Sequence, residues 1–576
     1  MRLFLLGFFL LFISLGKAQT NGSLTDTIKA GYSISNQLNE SDLLIGFQSS
    51  SLPGGGFNLT NNIFSARTLI EFTGGQRFFA FSPWKKLRFS ALPHLGFSYS
   101  FGNKGTQHIL AEYQHALSTK SLLNIDYNRY SSTGFIRNSE FTHNDLQIQY
   151  SFNGKRYQSD LKLGYQNSNV QQSGGLSADS LIKSLDLLYI PVAKDDALTK
   201  TQLGRIEWHN YLDFDNDTLQ AKGIFTSHKI SAKNYAYSEN DSLVNTYFII
   251  NFDSLHTNDI HQFTRLDNSI GLFSKNSFHE FTVGINSGYW QFKNAGYTND
   301  TLEIATFLNF KRERKTSFIQ NHFEFNLVGA KNEWSNYFSF IKKIKSFEIN
   351  GSIAVLNKLP EVYQRLAIGN NYSNLNGTFN KQFNTYSDIT VSKVFSNLTT
   401  KIGYRFSLSK NNYFFKETQW KQDTVSNYLI HQFYLKLDYK LKFLYIQPQY
   451  TYSILDQSTD FIPQHQLQAR VFIKGGIFKA KKLKAYLGAD FSYASTFSQV
   501  TFNSISSSFD FNNSNTQLLP QMNLHIFGGI QIEEFKFFVR VENIGRNWND
   551  TTSAFYKGYP ITSTQFRVGI TWDFFN

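Results

Sequence analysis

Histidines, neighbouring carboxylates and basic runs are the residues of this chain whose types and spacing could do chemistry. The 13 histidines are scattered along 576 residues. His108 and His115 stand seven apart, so on one strand they face opposite sides and cannot chelate one ion. Polar positions at strand ends or on an inner face account for them without a ligand. Glu533 and Glu534 could form a carboxylate pair, but adjacent strand residues diverge, and a turn before Phe535 explains both. The sequence contains no Gly-x-Ser-x-Gly elbow, no His-Glu-x-x-His and no Gly-x-x-x-x-Gly-Lys-Ser/Thr loop. It also has no cysteine, which removes thiolate nucleophiles, thiolate zinc ligands, disulfides and lipid attachment at cysteine. The expectation is a protein that is not an enzyme and uses neither metal nor cofactor.

The basic runs are weaker still as signals. Trp84-Lys85-Lys86-Leu87-Arg88, Lys311-Arg312-Glu313-Arg314-Lys315, and Lys479 with Lys481, Lys482 and Lys484 could suggest nucleic acid. They are short, separated and placed between strand candidates. Solvated turns, or lysines at an interface with anionic lipid, fit them better. No nucleic-acid partner is expected.

The elements that must position these residues begin after a leader. Arg2 precedes an apolar run from Leu3 to Leu15, and Gly16-Lys17-Ala18 puts small residues before Gln19, which is the order of a secretory signal peptide. The run falls short of the ~20 apolar residues of a spanning helix. Cleavage after Ala18 would take Arg2 and Lys17 away and lower the formal charge from +13 to +11. No later stretch resembles a transmembrane helix, so an exported chain that crosses a membrane would cross as strands.

Strand signals dominate the rest. Phe433, Leu435, Leu437, Tyr439, Leu441 and Phe443 alternate with Tyr434, Lys436, Asp438, Lys440 and Lys442. Phe566, Val568, Ile570, Trp572 and Phe574 alternate with Gln565, Arg567, Gly569, Thr571 and Asp573. Less regular versions run over 483–493, 402–409, 146–153 and 535–542. Alternation puts an apolar face and a polar face on each strand. The clearest segments alternate for about ten residues, the length of a membrane-crossing strand rather than the ~5–6 of a soluble one. Turn-rich stretches at 167–179, 239–242, 294–300, 456–460 and 512–515 separate them, with short turns such as Asn153-Gly154-Lys155 between. The composition agrees: 58 Phe, 31 Tyr and 7 Trp against 9 Pro suit an unbroken sheet, because proline removes a ladder donor and aromatics fit a pleated face.

An open sheet of many long strands would leave unpaired backbone in lipid, which closure abolishes. The expected fold is all-β: one large antiparallel transmembrane barrel of about 20–26 strands, even in number. The expected organisation is a signal peptide at 1–18, the barrel at 81–576, and between them a segment, 19–80. That segment is a periplasmic lead, a plug-like piece or weak first strands. The polar face would then look inward. Arg405, Lys436, Asp438, Lys440, Asp490, Arg540, Arg567 and Asp573 are the candidate pore-lining residues, because rings of such charges tune which solutes pass. Pairing with each other across strands is the competing use of the same charges.

Two sequence blocks carry a family resemblance. Thr571-Trp572-Asp573-Phe574-Phe575-Asn576 closes the last strand and looks like the signal read by the outer-membrane barrel-assembly machinery, carried here by Phe566, Val568, Ile570, Trp572, Phe574 and Phe575. Asn576 departs from that pattern by leaving the aromatic next to last. The run 124–135, Asn-Ile-Asp-Tyr-Asn-Arg-Tyr-Ser-Ser-Thr-Gly-Phe, continues through Arg137-Asn138, His143-Asn144, Arg156-Tyr157 and Gly174-Gly175-Leu176. With Gly558-Tyr559-Pro560 it resembles the putative porin family of bacteroidete-type Gram-negative bacteria. The resemblance covers 105–176 and 530–576 and implies an outer-membrane barrel with pore activity. Its expected partners are outer-membrane lipid and lipopolysaccharide, the assembly machinery during biogenesis, and small hydrophilic solutes in passive diffusion. A plugged barrel serving as receptor or scaffold is the alternative, and a barrel enzyme the more remote one.

Overall fold

The computed structural model describes residues 81–575 apart from 85–91, 179–180, 183–184, 215–219, 241–248, 375–378, 417–418, 457–458, 479–481, 511–515 and 549–555. The expected leader at 1–18, the segment 19–80 and Asn576 lie outside the described residues. Twenty-two antiparallel strands form one sheet. It closes where the first strand, His94–Gly102, pairs with the last, Gln565–Phe575, in register from His94↔Phe575 to Gly102↔Arg567. Every strand of the barrel thus has two neighbours and no edge is left to template another chain. The first strand starts at His94, and Phe81 to Trp84 are not in a strand.

Each alternating sequence segment lies in a strand. The Phe433 segment falls in Gln419–Leu441, with Phe443 in the turn that follows, and 483–493 is Leu483–Ala494. Segments 402–409, 146–153 and 535–542 fall in Leu398–Lys416, Phe141–Asn153 and Phe535–Glu542. The alternation has the expected sides. Phe433, Leu435, Ile270, Leu272, Phe566 and Trp572 are exposed on the outer face, while Gln432, Ser407, Asp490 and Arg540 are buried on the inner one.

Two turn-rich readings are corrected. Asn167 to Gln171 continue the strand Tyr157–Gln171, and 294–300 is strand on both sides of a two-residue hairpin at Ala295-Gly296. The reason is length. Gln419–Leu441 has 23 residues and Gln220–Glu239 has 20, far beyond the ~9–11 that cross a bilayer. Strands that continue into water keep their ladder bonds but lose any need for apolar side chains, so polar sequence there still forms sheet.

Connections differ between the two ends. At the end where the first strand begins, they are short, such as Gly154 to Arg156, Thr316 with Lys315, and Glu533 with Glu534. At the other end they include 172–197, 359–381, 495–520 and 543–564. Close approach across the wall is made possible by glycine at Gly403, where a Cβ would sit 2.1 Å from the Tyr434 ring. Tyr434 in turn reaches Thr390 Oγ1 at 2.7 Å and donates to Asp388 Oδ1 at 3.0 Å. Gly403→Val is expected to displace the ring and cost about 1–3 kcal/mol, read as a lower urea midpoint. Gly475→Val, at a position with no atom within 4 Å of the added carbon, should leave the midpoint unchanged. Equal midpoints for the two variants would refute the packing argument.

Candidate functional site: the inner wall of the barrel

The inner face carries charge in an ordered arrangement. Four strands contribute to one run of ion pairs that reaches across five, with acids and bases alternating. Arg470 Nε reaches Asp490 Oδ1 at 2.8 Å, and Arg540 Nη1 reaches Asp490 Oδ2 at 2.9 Å, spanning the strand Gln521–Ile532 between them. Glu542 then lies 3.2 Å from Arg540 Nε and 3.3 Å from Arg567 Nη2. Arg540 and Arg567 are direct cross-strand partners, a like-charge placement that is unfavourable unless an acid stands between them. Glu542 is that acid. Further round, Asp573 meets His94 Nε2 at 3.4 Å, and Arg405 donates to Asp388 at 2.9 Å while lying 4.2 Å from the centre of the Tyr434 ring.

The eight sequence-predicted residues therefore divide in two. Arg405, Asp490, Arg540, Arg567 and Asp573 are engaged with charged or titratable partners across strands. Lys436, Asp438 and Lys440 are exposed on the inner face, with Asp438 accepting from Gln447 at 3.2 Å and Lys440 lying 5.4 Å from the Tyr445 ring centre.

A piece of chain that precedes the first strand also sits inside. Phe81-Ser82-Pro83-Trp84 runs along the inner wall. Ser82 N donates to Gln166 Oε1 at 3.2 Å, Gln147 donates to Pro83 O at 3.2 Å, and Arg205 Nη2 donates to Ser82 O. The Arg205 guanidinium lies 3.7 Å from the Trp84 ring centre and 5.0 Å from that of Phe81, with Lys233 over Phe81 at 5.6 Å. Gly164 makes room for this stack: a Cβ there would come within 3.1 Å of the Trp84 ring and 3.0 Å of Arg205 Nε. Sequence reasoning placed Trp84 at the head of a basic run in a solvated turn or at a lipid interface; the rest of that run, Lys85 to Arg88, lies outside the described residues. The signal it missed is an aromatic pair, Phe81 and Trp84, standing before the first alternating strand.

The long connections fold in over the same lumen end and pack as two apolar clusters. One joins Leu176, Ile182, Leu187 and Ile190 of loop 172–197 to Phe461, Phe497, Tyr556 and Tyr559 from three other loops. The other joins Val362, Tyr363 and Tyr372 of loop 359–381 to Tyr235, Trp290 and Phe292 on the strands. Polar anchors fix the loops. Asn138 Nδ2 donates to the carbonyls of Gln172, Lys194 and Ala197, Lys194 pairs with Glu239 at 2.6 Å, and Asn370 N donates to Asp259 at 2.7 Å. Burial raises the carboxyl of Glu333, in the connection 329–333 beside loop 359–381, above its ordinary range and lowers the Arg365 guanidinium within that loop. Beneath loop 359–381 a cavity of about 600 Å³ opens against His322, Tyr337, Asn384, Tyr386 and Tyr413.

The two sequence blocks that carried the family resemblance meet here. Leu176 N donates to Gly558 O at 2.7 Å, and Gly175 packs on Gly558 so tightly that a Cβ on it would lie 3.1 Å from the Gly558 Cα. Both glycines have positive φ, +87° and +77°, which a side chain would strain.

A family described as "Putative porin" matches residues 17–576. The chain belongs to that family. No curated protein matches it in sequence. Among solved structures, this porin-family chain is similar to the copper transporter OprC, with TM-score 0.61 and 9% identity over 85% of this chain and 82% of that one. It is also similar to a mutant of the ferric enterobactin receptor PfeA from Pseudomonas aeruginosa, with TM-score 0.58 and 10% identity over 85% and 81%. The FrpB iron transporter from Neisseria meningitidis gives TM-score 0.57 and 10% identity over 84% and 83%. At such identities the likeness is one of fold: a large barrel with long connections at one end.

Proposed function

We propose that this porin-family protein is an outer-membrane channel for passive diffusion of small hydrophilic solutes, its lumen narrowed by inward-folded loops. The observation that carries the reading is the division of faces: large apolar side chains outside, and inside a wall of charges, amides and hydroxyls. Lys436, Asp438 and Lys440 are the pore-lining members of that wall that solutes meet, and the paired charges hold it rigid around them. The apolar outer face and the aromatic last strand support placement in the outer membrane after export, and Phe566, Trp572 and Phe574 on the outward side of that strand support its recognition during assembly. The proposal assigns no catalytic residues.

A second reading rests on a specific observation. The lumen-bound segment at Phe81 to Trp84 and the loops converging on the same end, whose cluster Phe81 packs against, fit a plugged barrel that serves as a receptor. Planar-bilayer recording of purified full-length protein separates the two. The channel reading expects resolved conductance steps without any ligand. Silence at every voltage would sink it, and silence relieved only by loosening the internal segment would favour the plugged form.

A further inference from the structure

The lysines of the inner wall are unevenly balanced. At the short-turn end of the strands between Thr257 and Lys358, they stand beside glutamates: Lys275 with Glu280 at 3.9 Å, Lys311 with Glu313 at 3.3 Å, and Lys343 with Glu348 at 3.6 Å. On another arc of the same end, Lys440, Lys474, Lys484 and Lys536 come from four strands, each within two residues of its strand end. Register puts them on one face. Lys440 pairs with Tyr445, which pairs with Phe472, two residues from Lys474. Lys484 pairs with Gln531, and Gln531 with Lys536.

They are also close. Lys474 Nζ donates to Gln531 Oε1 at 3.0 Å, across the strand Leu483–Ala494 that carries Lys484. Lys474 feels the charges of Lys440 and Lys484, and Lys536 feels that of Lys474. The acids near this arc gather on its Lys536 side, where Asp573, which also stands against His94, and Glu534 in the turn act on that lysine, while Asp438 accepts from Gln447. Lys440, Lys474 and Lys484 repel one another unless an anion stands among them, and a narrow lumen shields that repulsion less than open water does.

We propose that Lys440, Lys474 and Lys484, with Lys536 beside them, form a binding site for a small oxyanion, either inorganic or the acidic group of an organic solute. Because the arc lies on the inner face, its ligand is a solute in the lumen. The inference rests on reading the barrel as a channel and adds the charge of what it favours. Equilibrium dialysis of the detergent-purified full-length protein with radiolabelled phosphate tests the site without requiring conduction. Saturable binding is expected, weakened tenfold or more in Lys440→Gln/Lys474→Gln/Lys484→Gln, with the folded gel mobility of the variant retained. The reversal potential in a salt gradient should show anion preference in the parent and move toward cations in the variant. Phosphate binding that is absent, or unchanged by the three substitutions, would overturn the site. Binding without conductance would support the site and sink the channel reading instead.

Discussion

Replacing Arg540 by methionine is expected to lower the stability of the folded barrel by about 3–5 kcal/mol, the range for removing one partner of a buried charge pair. Arg540 is 2% exposed and stands between Asp490 and Glu542, themselves 7% and 2% exposed. The substitution keeps the aliphatic bulk and deletes the charge. Asp490 then has Arg470 alone, and Glu542 has Arg567 alone, with the remaining carboxylate oxygens facing protein rather than water. Stability also falls because the alternation across five strands is broken in the strand Phe535–Glu542, only 8 residues long. Urea unfolding in detergent, followed by the loss of folded gel mobility, measures the change. Lys436→Met on the same face, at an exposed position, is the comparison and should move the midpoint by less than about 0.5 kcal/mol. Similar midpoints for both variants would show that the inner charges are solvated independently and do not form a network.

The second large effect concerns the segment inside the barrel. Trp84→Ala is expected to raise the mean single-channel conductance or the open fraction. The Arg205–Trp84 stack contributes roughly 0.5–2 kcal/mol as a cation–π contact, and its loss also loosens the hydrogen bonds that hold Ser82 and Pro83, each worth about 1 kcal/mol. Weakening the latch by about 2 kcal/mol shifts the ratio of seated to unseated segment roughly thirtyfold. Arg205→Gln should act in the same direction, and the double variant should add little, because both remove one contact. Additive effects of the two substitutions would mean that Arg205 acts on ions directly and not through Trp84.

Most of the barrel was legible in the sequence because its strands obey a two-residue period imposed by two different surroundings. Phe433 to Leu441 and Phe566 to Phe574 announce both the strands and their outer faces. Where strands leave the apolar layer that period loses its cause, so Asn167 to Gln171 and Tyr297 to Asp300 read as loops and are sheet. The inner charges were legible as types and faces. Their partners were not: Asp490 and Arg540 lie 50 residues apart and meet only because the arginine is long enough to reach past the intervening strand, where His525 and Phe527 are their paired residues. Lys474 and Lys536 were missed for a related reason, since each has an unremarkable neighbourhood on its own strand and acquires meaning only from lysines on others. Loop packing was the least legible, because Leu176, Ile182, Tyr556 and Tyr559 follow no period and are buried by segments distant in sequence.

The contact between Gly175 and Gly558 bears on the order of folding. Loop 172–197 lies between early strands, whereas its partner immediately precedes the final strand. The hydrogen bond from Leu176 to Gly558 cannot form until nearly the whole chain has been laid into the sheet, and such distant pairings come late because the closure entropy must be met first. Until then Leu176, Ile182, Leu187 and Ile190 lack their cover, and uncovered apolar surface promotes aggregation. A chain arrested before its last strand would therefore fail twice, with an open edge in the sheet and a naked apolar loop at its rim. The seating of that loop marks the completion of the barrel.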